Sequence, residues 1–80
     1  MEINESVKAN SDITAIDVML EDYNKSEYAI VITLKVFNRL MEHSPKHFSH
    51  KGSAILYKGE THVYLHNRSD EEITVQKANN

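Results

Sequence analysis

Residues 28–43, YAIVITLKVFNRLMEH, are the longest apolar run in the chain. The fold turns on whether they wind or extend. At 3.6 residues per turn, Ala29, Ile30, Thr33, Leu34, Val36, Phe37, Leu40 and Met41 share one face. Tyr28, Lys35, Asn38, Arg39, Glu42 and His43 share the other. Only Val31 and Ile32 fall out of place. At period two, Ile30, Ile32, Leu34 and Val36 align instead, and the β-branched density of residues 28–37 suits a strand. Asn24 with Glu27 three residues on resembles a capping box, and Ser44-Pro45 stops any helix. These end signals favour one helix over residues 28–43, with a strand followed by a short helix as the rival.

Upstream, Ile13, Ile16, Met19, Leu20 and Tyr23 fall on one helical face. Ser11 can cap it and Asp12 sits in the first turn, where the helix dipole favours acid, so a helix over about 12–22 is expected. The competing pattern turns Thr14, Ile16, Val18 and Leu20 inward. It would make the protein mostly β, with 13–20 and 28–37 as a hairpin. Residues 1–10, with only Ile3 and Val7 as apolar anchors, and residues 78–80 read as poorly ordered tails of a single 80-residue domain.

Downstream, strand-like runs over about 53–58 and 61–66 meet at Lys58-Gly59, a hairpin turn with glycine where a positive φ is needed. A third run over 72–77 follows a polar turn. The expected architecture is α+β: one or two amphipathic helices packed on a three-stranded antiparallel meander. A two-residue loop puts Ala54, Leu56, Thr61, Val63 and Leu65 toward the helices, joined by Ile73 and Val75. Ile55, Tyr57, His62, Tyr64 and His66 then face away, with Glu72 opposite His66 across the strands.

Composition bounds the function. Eighty residues make a small core, so self-association is an expected source of stability. The absence of cysteine excludes disulfides and thiolate metal sites. The acidic start lacks the basic and apolar segments of a targeting signal. No run reaches the roughly 18 apolar residues of a membrane span, so a soluble cytoplasmic protein is expected. The net charge of −3 is uneven. Residues 1–27 carry seven acidic groups against two basic, while the remainder carries seven basic against five acidic, and the two regions should attract each other.

Five histidines invite a metal reading that spacing discourages. His62 and His66 lie about 13 Å apart on a strand, too far to share one ion, and Pro45 breaks the alignment of His43 with His47. No cofactor is expected. Ser44, Ser49 and Ser53 lie near His47 and His50 without an acid to orient a base, so no catalytic residues are assigned and the protein reads as no enzyme. The remaining feature is the stripe of Tyr57, His62, Tyr64 and His66, flat amphipathic side chains of the kind enriched at interfaces. The expectation is a non-enzymatic binding module, a regulator or inhibitor that occupies a surface of a partner protein. A homodimer through the same stripe is expected as well. The alternative is a single-stranded nucleic-acid module, with bases stacked on the aromatic strand. Lys46, His47, His50, Lys51 and Lys58 of the acid-free segment 43–59 would then contact phosphate or another acidic partner.

Overall fold

The computed structural model describes residues 4–78, and the expectations for residues 1–3, 79 and 80 lie outside this range. The chain runs α1 (Glu5–Leu20), β1 (Tyr28–Thr33), α2 (Leu34–His43), a 3-10 turn (Pro45–His47), β2 (Phe48–Lys51), β3 (Ala54–Tyr57), β4 (Thr61–His66) and β5 (Ile73–Lys77). Two helices pack on one five-stranded mixed sheet of order β2-β3-β4-β1-β5. The class is α+β.

The central stretch is a strand and then a helix. Every β1 residue after Tyr28 is buried, because β1 lies between β4 and β5, with the helices packed on one face and the side chains of the neighbouring strands crowding the other. A central strand reads as continuous apolar sequence, and Val31 and Ile32, the two misfits of the helical pattern, belong to it. Thr33 then opens α2, which buries Val36, Arg39 and Leu40. Ser44 N–H closes that helix on Leu40 O at 2.7 Å.

Helix α1 begins well before residue 12. Asn4, not Ser11, caps it, accepting a 2.8 Å hydrogen bond from Ser6 N–H, so residues 5–10, read from the sequence as a poorly ordered tail, form its first turns. Ala9, Ile13, Ile16 and Leu20 make the packed seam, at steps of four, three and four. Met19 and Tyr23 fall off it and are exposed. Asn24 organises a tight turn: its Oδ1 accepts from Ser26 N–H at 3.0 Å, so the expected capping box serves a turn that leads into β1.

The meander is corrected in three respects. First, β5 does not pair with β4. It runs antiparallel to β1, and β1 runs parallel to β4, so β1 separates the two. Glu72 therefore does not face His66 across a strand pair; its carboxylate meets Arg68 at 3.1 Å. Second, the segment before β3 is an additional edge strand, β2, joined to β3 by the two-residue loop Gly52-Ser53 with Gly52 at φ +62°. Third, the β3–β4 turn has Lys58 and Gly59 at φ 52° and 73° as the hairpin requires, with Glu60 N–H on Tyr57 O at 3.2 Å. Glu60 is nevertheless an extra residue, and Tyr57 pairs with Thr61. This one-residue bulge turns β3 over relative to the expectation. Tyr57 and Ile55 join the helical side, and Leu56 faces away.

Charge draws the acidic first helix onto the rest. Arg39 on α2, its side chain only 8% exposed, meets Asp12 of α1 with Nε and Nη2 both at 2.9 Å and pairs with Glu71 ahead of β5. Burial opposes the guanidinium charge, but the bonds to Asp12 and Glu71 outweigh it and hold the Arg39 pKa above its ordinary value. The same bond holds the Glu71 carboxyl below the ordinary 4.5. Because the folded value is the lower one, this stabilisation is present above pH 4.5 and is lost as pH falls through the folded value. Glu71→Gln is expected to flatten the acid limb of a plot of urea midpoint against pH. Solvent exposure keeps the effect within about 1 kcal/mol. An unchanged acid limb would show that Glu71 contributes nothing there.

Candidate functional site

Directly paired residues share a sheet face. Ile30, Ile32, Ile55, Tyr57, Val63, Ile73 and Val75 face the helices and form the core with Ile16, Leu20, Val36 and Leu40. The opposite face carries Ala29, Val31 and Thr33 on β1, Leu56 on β3, His62, Tyr64 and His66 on β4, and Thr74 and Gln76 on β5. Among the described residues no helix covers it.

This open face has an apolar centre. Ala29 is fully buried, Val31 is 5% exposed and Leu56 9%. They owe that to their neighbours in the sheet. Ala29 and Val31 stand between His62 and Tyr64 on one side and Gln76 and Thr74 on the other, and Leu56 stands opposite His62. The His62 and Tyr64 rings meet edge to face, centroids 6.4 Å apart. Both are half-buried, while His66 is exposed. Lys51, at the end of β2, is the one Lys, Arg, Asp or Glu among the strand residues of this face. Beyond Thr33, a cleft of about 40 Å³ between His66, Arg68 and Glu72 has room for water and is far below the volume of a ligand pocket.

Three of the four stripe residues thus share the open face, and Tyr57 does not. Its ring is buried against Phe48, at 5.3 Å between centroids, and its hydroxyl donates to Asp17 Oδ1 on α1 at 2.8 Å. Burial, reinforced by the Asp17 carboxylate, pushes the phenol pKa well above its usual range. Tyr57 is therefore a clamp between the β3–β4 hairpin and α1. Lys58 Nζ joins it on Asp17 at 3.1 and 3.2 Å.

The basic residues of segment 43–59 are not gathered into one surface. Lys58 is held by Asp17 on the helical side, His47 packs on Tyr57 at 6.1 Å, and Lys46 lies exposed in the 3-10 turn. His50 shares a face with Ile55, away from Lys51 on the open side. Among the described residues no three His, Asp or Glu side chains are placed to hold a metal ion, and no helix is long and apolar enough to cross a membrane. No protein-family model, curated protein or solved structure matches this chain.

Sequence reasoning missed Val31, Ala29 and Leu56 as members of this face. Val31 carried a signal, since it breaks the helical pattern, and Ala29 and Val31 alternate with Ile30 and Ile32. Leu56 carried none, because the bulge at Glu60 has no residue that announces it.

Proposed function

We propose that the protein is a small non-enzymatic binding module, of regulator or inhibitor type, that occupies a surface of a partner protein with its open sheet face. The observation that carries this reading is the uncharged centre of Ala29, Val31 and Leu56, bordered by His62 and Tyr64, on a face without a helical layer. An apolar, charge-poor centre with aromatic side chains and a polar rim is the anatomy of a protein interface. Tyr and His rings bury much area for few rotatable bonds. Single-stranded nucleic acid would need several cations around Tyr64, and among the strand residues of that face Lys51 is the one present, which weakens the second reading.

The test is capture from a lysate of the native host by wild-type protein and by two variants, with and without nuclease. Tyr64→Glu is expected to weaken capture of a defined protein about tenfold or more, as loss of an aromatic anchor does. Lys46→Ala combined with Lys51→Ala is expected to leave that capture unchanged, and nuclease to have no effect. Capture that nuclease abolishes, or that Tyr64→Glu leaves intact while the lysine variant loses it, overturns the proposal.

A further inference from the structure

The far edge of the sheet has features of its own. Thr33 N–H bonds Glu72 O at 3.2 Å and Ala78 N–H bonds Glu27 O at 2.9 Å, both in the register of the β1–β5 pair. In an antiparallel ladder bonded and non-bonded pairs alternate. Thr74 and Gln76 therefore turn their backbone groups toward β1, while Ile73, Val75 and Lys77 point theirs out of the sheet, past the last strand in its order. β5 has none of the usual edge defences beyond Lys77: it has no proline and is mainly β-branched. The other edge, β2, is four residues long and ends at Lys51-Gly52.

Beside β5, on the helical side, lies a groove of about 470 Å³ lined by Val18, Met19, Asp22, Tyr23, Ile73 and Val75. Three of the large apolar side chains exposed among the described residues stand here: Val18 at 57%, Met19 at 36% and Tyr23 at 42%. Among the described residues, an open strand edge and an uncovered apolar groove thus coincide.

We infer that a second copy of this chain pairs with β5, antiparallel and edge to edge, about a two-fold axis through Val75. The strand is self-complementary in that arrangement. Val75 meets the partner's Val75 and Ile73 meets the partner's Lys77, so every residue with outward backbone groups faces another of the same kind. Three residue pairs with two bonds each give about six hydrogen bonds. Shifting the axis by one residue in either direction leaves fewer. Charge agrees with the register, since the partner's Lys77 lies opposite Ile73, in the groove that holds Asp22. An axis perpendicular to the sheet keeps equivalent faces on the same side. The two α1 helices therefore approach with Val18, Met19 and Tyr23 between them, and the interface is isologous and closed. Both open faces then lie side by side on one ten-stranded sheet. This inference does not depend on what that face binds.

Sedimentation equilibrium from micromolar to high micromolar concentration tests it, with circular dichroism as the check on folding. The wild type is expected to dimerise. Lys77→Glu, which sets a carboxylate against the partner's Asp22, is expected to weaken the dimer about tenfold, and adding Asp22→Lys to restore it. Met19→Glu should weaken it without changing the spectrum, since the side chain is exposed. Amide exchange at Ile73, Val75 and Lys77 should slow as concentration rises. A monomer at every concentration overturns the inference. So does a dimer that ignores Lys77→Glu and Met19→Glu, or one that Tyr64→Glu abolishes, which would put the interface on the open face instead.

Discussion

Arg39→Ala is expected to cost about 3 kcal/mol, which in a domain of this size lowers the melting temperature by roughly 15 °C. The side chain is nearly out of solvent and is the cation between Asp12 of α1 and Glu71 of the segment that enters β5. Removing it leaves Asp12, itself only 13% exposed, without its cation. Breaking a buried pair by deleting one partner costs more than the pair contributes, because the surviving charge stays desolvated. The lower end of that range applies here, since Glu71 can turn to water. The stem adds a packing loss, as Arg39 lies in the row that buries Val36 and Leu40. Replacing the pair together, Arg39→Leu with Asp12→Leu, should recover most of the loss, because an apolar pair of similar volume needs no desolvation. Urea unfolding of wild type, both single variants and the double variant gives the coupling. A cost below about 1 kcal/mol for Arg39→Ala would reduce the network to a surface bridge and leave the apolar seam alone joining α1 to α2.

That contact was legible only as a tendency. The excess of acid in residues 1–27 and of base beyond them pointed to attraction between the two regions, and Arg39–Asp12 and Lys58–Asp17 are such contacts. Which residues meet depends on where α1 lies, and the spacing of the large apolar side chains places it too late in the chain. The face drawn through Met19 and Tyr23 takes in the large side chains. The true seam passes through Ala9, whose small size lets the helix approach closely and gives no strong hydrophobic signal. The central stretch left two readings open for another reason, and the strand followed by a short helix is the one the structure has. No glycine or proline marks the step from Thr33 to Leu34, and α2 is amphipathic enough to carry a helical pattern backward over the strand. Gly52-Ser53, by contrast, is a two-residue hairpin signal present in the sequence. The strand it serves, FSHK, is short, polar and at the sheet edge, so the turn has no apolar alternation in front of it. Pairing of β5 with β1 across half the chain leaves no local trace, since either neighbour would satisfy the alternation of Ile73 and Val75.

Neighbouring residues of β1 should respond very differently to the same truncation. Ile30 and Val31 are both almost fully buried, at 1% and 5% exposure, yet they point to opposite faces of the sheet. Ile30 packs in the cluster formed with Ile16, Val36 and Leu40, where helices on one side and the sheet on the other prevent collapse. Ile30→Ala is expected to cost about 3 to 4 kcal/mol, the lost transfer energy plus a cavity that cannot close. Val31 stands between its in-plane neighbours Tyr64 and Thr74, beside the cleft that Arg68 and Glu72 line, on a face that no helix of the described residues covers. Their side chains can fold over a smaller residue and water can fill what remains, so Val31→Ala should cost about 1 kcal/mol. The difference in carbon count between the two truncations is one methylene, about 0.8 kcal/mol, too little to explain the gap. Val31→Thr sharpens the comparison, because it keeps the volume and adds a hydroxyl that costs little only where water can reach it. Urea midpoints at low protein concentration decide the matter. If Val31→Thr proves as damaging as Ile30→Ala, the face is covered in the free protein. The open surface on which partner binding rests would then be absent.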